Sequence, residues 1–249
     1  MASVIYPTTN FTATEQLCIT HGEGIYVYDD TGKEYIEGLA GLWCTALGYS
    51  NTEVVEAITE QLNRLPFQHT FGGKTHAPVM QLAEKLKAMV PVEDAYFFFG
   101  NSGSDANDSH YKMLRYYFNA IGKPQKRKII TRERGYHGVT VAAGSLTSLP
   151  ANLAHFDAPL EALSILRADA PHYYTGRQGN ETEAQFVERI LQNLEDQILA
   201  EDPETIAAMI VEPITGASGV IVPPEGYYEG LQALLRKHDI LIWADEVIC

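Results

Sequence analysis

Four short β-prone runs recur along the chain: Ala95-Tyr96-Phe97-Phe98-Phe99, Lys128-Ile129-Ile130-Thr131, Ala207-Ala208-Met209-Ile210-Val211 and Ile240-Leu241-Ile242-Trp243-Ala244. None alternates apolar with polar residues, as a strand with one wet face would, so each reads as a strand covered on both sides. Helical segments separate them: Asp105 to Phe118, then 182–199 with Phe186, Ile190, Leu191, Leu194 and Ile198 on one stripe, then Tyr227 to Lys237. Strand-helix alternation of this kind predicts an α/β fold, a mostly parallel sheet flanked by helices. In such sheets ligands bind beyond the carboxyl ends of the strands. Function is therefore sought in the residues that follow each run.

The N-terminal part reads differently. Gly24-Ile25-Tyr26-Val27-Tyr28 and Glu34-Tyr35-Ile36-Glu37 flank the turn-rich Asp29-Asp30-Thr31-Gly32-Lys33, which predicts a β-hairpin. Two amphipathic helices follow, one carrying Val54, Val55, Ile58, Leu62 and Leu65, the other Val79, Leu82, Leu86 and Met89.

After the first run comes Gly100-Asn101-Ser102-Gly103-Ser104-Asp105-Ala106-Asn107-Asp108, a small-residue loop opening into a helix. Gly103 lets backbone approach a ligand, Ser102 and Ser104 offer hydroxyls, and the free N–H groups of the first turn attract an anion. A serine in that place equally well caps the helix. The spacing lacks the third glycine of a dinucleotide loop, and no Walker loop is present. After the second run, Gly135 and Gly138 bracket Tyr136 and His137, an aromatic pair able to cover a flat ligand or simply the sheet edge. The third run ends in Glu212-Pro213, the fourth in Asp245-Glu246-Val247. A carboxylate at a buried strand end needs a cation or hydrogen-bond donors. A ligand with a phosphate, a flat ring and a ring cation would satisfy all of these groups at once, and pyridoxal 5'-phosphate (PLP) has those three features.

Composition narrows the partners. Eighteen basic against 32 acidic residues give a formal charge of −14, which opposes attraction to nucleic acid or an anionic membrane. Cys18, Cys44 and Cys249 form no CxxC pair, so neither a disulfide framework nor a metal site is indicated, and a reducing cytoplasm is the expected compartment. The opening Met1-Ala2-Ser3-Val4-Ile5-Tyr6-Pro7 shows no basic region followed by an apolar run, so no export signal is expected there.

Taken in order, Gly22-Glu23-Gly24-Ile25-Tyr26-Val27-Tyr28-Asp29, Gly41-Leu42-Trp43-Cys44, Asn101 to Asp108, Tyr136-His137-Gly138, Glu212-Pro213 and Asp245-Glu246-Val247-Ile248 resemble the class III (omega) aminotransferases of the PLP-dependent fold type I superfamily. The resemblance implies that Ser102, Gly103 and Ser104 bind the cofactor phosphate and that Tyr136 and Val247 cover opposite ring faces. It places Asp245 at the pyridinium nitrogen, with His137 and Glu212 in support. Leu42 and Trp43 resemble the segment that lines the substrate pocket in the amine:pyruvate branch, beside Tyr136. Residues 1–60 would belong to a small domain and 61–249 to the large PLP-binding domain, incomplete at its C-terminus. Partners would be amine and keto-acid substrates and a second copy in a homodimer, the latter also suggested by the apolar stretch around Phe67 and Phe71.

Two departures stand out. Asp105 replaces the family's usual Glu, a change expected to leave the helix start intact. None of the nine lysines follows Asp245, where the family's Schiff-base lysine lies. The chain is therefore expected to be a truncated transaminase, inactive alone. The rival readings are a non-catalytic PLP-binding or partner-binding relative, and another PLP enzyme of the same fold, such as an aminomutase or decarboxylase.

Overall fold

The computed structural model describes residues 3–10, 12 and 15–249, so Met1 and Ala2 of the opening stretch lie outside the described residues. The chain divides into two compact units, residues 1–97 and 98–249. Both amphipathic helices lie in the first unit.

In the first unit β1 (Ile19–Glu23), β2 (Tyr26–Asp29) and β3 (Glu34–Ile36) form an antiparallel sheet in sequence order. The β2–β3 turn is closed by one side chain. Asp29 accepts from the Thr31 N–H and O–H, the Lys33 N–H and the Tyr35 hydroxyl. The Thr31 hydroxyl contributes most to holding this carboxyl far below its ordinary range. Strand β1, Ile-Thr-His-Gly-Glu, has a single large apolar residue and gave no periodic signal. Helices α1 (Thr52–Arg64) and α2 (Ala77–Lys87) start as their sequences dictate, with the Asn51 side chain accepting from the Val54 N–H at 3.0 Å and Pro78 in the first turn of α2.

The second unit is built on β4 (Lys128–Arg132), β5 (Ile165–Ala168), β6 (Ile206–Val211) and β7 (Leu241–Ala244), all parallel, in the order β5-β4-β6-β7. The chain moves outward from β4 to β5 and then returns to the other side of β4. The topological switch point thus lies between β4 and β6, and the crevice at their carboxyl ends is where a ligand would sit. Strand β5 escaped the sequence reading because this four-residue edge strand carries Arg167 in its middle.

Side chains alternate between two cores. Ile129, Ala208, Ile210 and Trp243 face Leu114 and Phe118 of α3 (Gly103–Ala120) and Leu146 of α4 (Val141–Leu146). Ile130, Met209 and Val211 face the stripe Phe186, Ile190, Leu194 and Ile198 of α5 (Glu183–Ala200) and Leu231 and Leu235 of α6 (Tyr227–Lys237). Each large aliphatic or Phe side chain among them, fully buried, stabilises the unit by roughly 1.5–3 kcal/mol relative to exposure. At the amino ends of the strands, the fully buried Lys126 donates to the carbonyls of Asp239 (2.6 Å) and Ile206 (3.2 Å), with the Asp239 carboxylate 3.6 Å away.

One expectation fails. Residues 95–99 form no strand, and Tyr96 and Phe98 are 94% and 72% exposed. An apolar run becomes a doubly covered strand only within a ladder, and the four-stranded ladder does not include this segment.

Among the described residues no helix is long and apolar enough to cross a membrane. Leu231 sits wholly inside the second core, and Leu231→Ala is expected to lower the unfolding free energy by about 2–5 kcal/mol, read as a shift of the urea midpoint at unchanged slope.

Candidate active site

Three of the loops expected to carry function meet at the switch-point rim. The first is the start of α3. Ser102 is its N-cap and its Oγ accepts from the Asp105 N–H at 3.1 Å, while the Asp105 carboxylate accepts from the Asn101 N–H at 2.9 Å. Aspartate in place of glutamate therefore keeps the helix start closed, as expected. The N–H groups of Gly103 and Ser104 point out of the first turn without a protein acceptor among the described residues, which is what an anion needs. Ser104 Oγ accepts from the Val139 N–H at 3.1 Å and still has its own hydrogen to donate.

The second element is the β4–α4 loop. Gly138 adopts φ +128, and a Cβ there would lie 2.9 Å from Ser104 Cβ, so only glycine lets this loop close on α3. The loop is tied down from both ends. The His137 N–H donates to Thr147 Oγ1 at 2.9 Å, and the Tyr136 N–H donates to Glu212 Oε1 at 2.9 Å. The other Glu212 oxygen accepts from the Gly216 N–H at 2.9 Å. Glu212 thus ends β6 by clasping two loop backbones, while the Tyr136 side chain is half-buried at the rim.

The third element is the exit of β7. The Asp245 N–H continues the ladder to the Val211 carbonyl at 2.8 Å, and its buried carboxylate accepts at Oδ2 from His137 Nδ1 and from Asn107 Nδ2, both at 2.9 Å. Asn107 gives its remaining hydrogen to the His137 carbonyl at 2.8 Å. Burial opposes ionisation of Asp245, but the His137 and Asn107 hydrogen bonds and the Val247 N–H outweigh it and hold the carboxyl below its ordinary value. Because an ionised carboxylate only accepts, His137 Nδ1 carries the hydrogen. Among the described residues Oδ1 receives only the Val247 N–H, at 3.3 Å, and is the oxygen left for a ligand cation. Val247 closes the ring of contacts, since a Cβ on Gly103 would lie 2.6 Å from its Cγ2.

Ser102, Gly103, Ser104, Tyr136, His137, Glu212, Asp245 and Val247 therefore lie on loops joined by direct contacts. The open amides at one place and an ionised carboxylate with a spare oxygen at another fit the phosphate and the ring cation of PLP. Leu42 and Trp43 belong to the first unit. With Ala40 and Gly41 they form a left-handed turn, φ +47 to +67, that leaves them 64% and 44% exposed. Left-handed residues other than glycine cost about 1–2 kcal/mol each, and this conformation has no sequence signal. Asn107 was missed as well. Its place one turn inside α3 marks it only once the helix is set beside β7.

The rim and its sheet define an α/β protein of the PLP-dependent fold type I. The class-III aminotransferase family model matches residues 9–249. The chain is 50% identical over 238 residues to gamma-aminobutyrate transaminase 1, mitochondrial, of Oryza sativa subsp. japonica, covering 95% of this chain and 46% of that protein. It is 50% identical over 236 residues to vanillin aminotransferase of Capsicum annuum, covering 94% and 51%. The omega transaminase of Pseudomonas jessenii in complex with PMP superposes with a TM-score of 0.95 at 52% identity, over 99% of this chain and 55% of that one. The chain belongs to the class-III aminotransferases, and spans about half the length of the relatives it matches.

Removing Asn107 tests the junction. Asn107→Ala leaves Asp245 with fewer donors and is expected to cost about 1–3 kcal/mol at neutral pH. A carboxyl held low in the fold stabilises it above the ordinary value of 3.8 and loses that contribution as pH falls through the depressed folded value. The gap between variant and wild type in urea titrations should therefore narrow on acidification below pH 3.8; a gap constant with pH would rule this out.

Proposed function

We propose that this chain forms the cofactor-binding part of a PLP-dependent aminotransferase that moves an amino group from an amine or omega-amino donor to pyruvate or a similar carbonyl acceptor. The observation that carries the reading is Asp245, ionised in a buried site and joined to both the anion-binding helix start and the Tyr136 loop. Bound PLP supplies an electron sink for the carbanion formed when a donor loses its proton.

In this reading the Gly103 and Ser104 amides and the Ser104 hydroxyl hold the phosphate. Asp245 Oδ1 keeps the proton on the ring nitrogen, and His137 and Asn107 orient that carboxylate. Tyr136 covers one ring face and Val247 the other, both limiting water. Leu42 and Trp43 shape the donor pocket. The named relatives act on gamma-aminobutyrate and vanillin or are called omega transaminases, which supports an omega-amino or amine donor. Transfer also requires the family's Schiff-base lysine, which none of the nine lysines of this sequence supplies. A non-catalytic PLP-binding role for a protein without it is the second reading.

We further propose a homodimer, supported by the exposed Phe67 and Phe71, and a reducing cytoplasmic setting, supported by three free exposed cysteines. The small-domain role of residues 1–60 belongs to the same proposal.

The test uses protein carrying the family lysine. Alanine formed from pyruvate is measured with gamma-aminobutyrate and with a simple arylalkylamine as donors. Transfer is expected with at least one of them. Asp245→Asn should reduce it by about two to three orders of magnitude, as loss of an essential electrostatic partner does, and should weaken PLP retention. Undiminished transfer by Asp245→Asn would overturn the assignment.

A further inference from the structure

Arg132, the last residue of β4, is 2% exposed directly behind the rim. Its hydrogen-bond partners among the described residues are neutral oxygens: the Glu212 carbonyl, Thr215 Oγ1 at 3.4 Å and the Tyr228 hydroxyl at 3.3 Å. Burial works against its charge, but the neighbouring Tyr227 and Tyr228 phenols, themselves pushed up by burial, outweigh it and hold the guanidinium above its ordinary value. A buried cation with no carboxylate in contact is costly, and an apolar side chain of similar size would serve packing better. Its retention in the fold calls for a task that apolar atoms cannot perform.

The geometry points to that task. Tyr228 also donates to the Glu212 carbonyl at 2.7 Å, with the Pro213 carbonyl at 3.0 Å. Two donors from different elements thus converge on one peptide group and fix the backbone of residue 212. From that fixed point the Glu212 side chain reaches forward to the Tyr136 and Gly216 N–H groups. We propose that Arg132 and Tyr228 are positioning residues that set Tyr136 against the cofactor ring by anchoring Glu212 from behind. The inference rests on the cofactor site assigned above. Arginine suits the place because its rigid, planar, weakly hydrated fork holds its donors in a fixed geometry, which the rotating ammonium of a lysine does not.

The first measurement needs no cofactor: amide hydrogen exchange over residues 133–138 in the purified protein. Tyr228→Phe, which removes one hydroxyl, and Arg132→Lys, which removes the fork but keeps the charge, are each expected to speed exchange there by roughly three- to tenfold. Neither should add to the effect of Glu212→Gln. The second measurement is the PLP dissociation constant. Tyr228→Phe should raise it about three- to tenfold when Tyr136 is present and less than about twofold in a Tyr136→Ala background. Unchanged exchange in Tyr228→Phe, or an equal loss of affinity with and without Tyr136, would overturn the proposal. A wild-type protein that binds no PLP would instead refute the cofactor site, and the exchange result would still decide whether Arg132 and Tyr228 hold the Tyr136 loop. Should Arg132→Lys fail to fold, Tyr228→Phe decides alone.

Discussion

A single carboxylate oxygen, Asp245 Oδ2, ties the rim together. It receives Asn107 from α3 and His137 from the β4 loop, while the backbone of Asp245 stays in the ladder with Val211. Three elements far apart in sequence are thereby referred to one point. Asn107 completes the triangle by also holding the His137 carbonyl. Moving any corner disturbs the other two, which is why two short loops and a helix start can keep a fixed mutual geometry at a surface crevice.

Electrostatics of the site follow from that junction. Burial alone raises the pKa of this carboxyl, and here two side-chain donors and a backbone amide reverse that tendency. The donors are distributed unevenly, two on Oδ2 and a long one on Oδ1, so the negative charge faces outward through Oδ1. The start of α3 presents the opposite polarity with the open Gly103 and Ser104 amides. The crevice therefore offers positive potential at one place and negative at another, a pattern suited to a ligand that is itself an anion joined to a cationic ring.

What could be read from the sequence was whatever depends on local pattern. Runs 207–211 and 240–244 are strands because their apolar continuity matches cover on both faces, and Ser102 and Asp105 close a helix start by rules of short range. The misses are contacts of long range or of conformation. Asn107 and Asp245 are 138 positions apart, and no spacing rule connects them. Residues 95–99 have the composition of a core strand without a place in the four-stranded ladder, so composition misled. The left-handed turn at Ala40 to Trp43 contains three residues that rarely adopt such angles, and only its surroundings can impose it.

Strand β4 is flanked by two buried cations, and their difference explains what each rim is for. At the amino end Lys126 has two carbonyls and the Asp239 carboxylate within reach, a closed arrangement in which charge and hydrogen bonds are both satisfied locally. At the carboxyl end the hydrogen-bond partners of Arg132 among the described residues are neutral oxygens, and the Glu212 carboxylate is committed to the Tyr136 and Gly216 amides. The Glu212 carboxylate thus holds the loops beside the ligand crevice, while its carbonyl accepts from the guanidinium behind. This asymmetry along one strand is the physical mark that separates the functional edge of the sheet from the structural one.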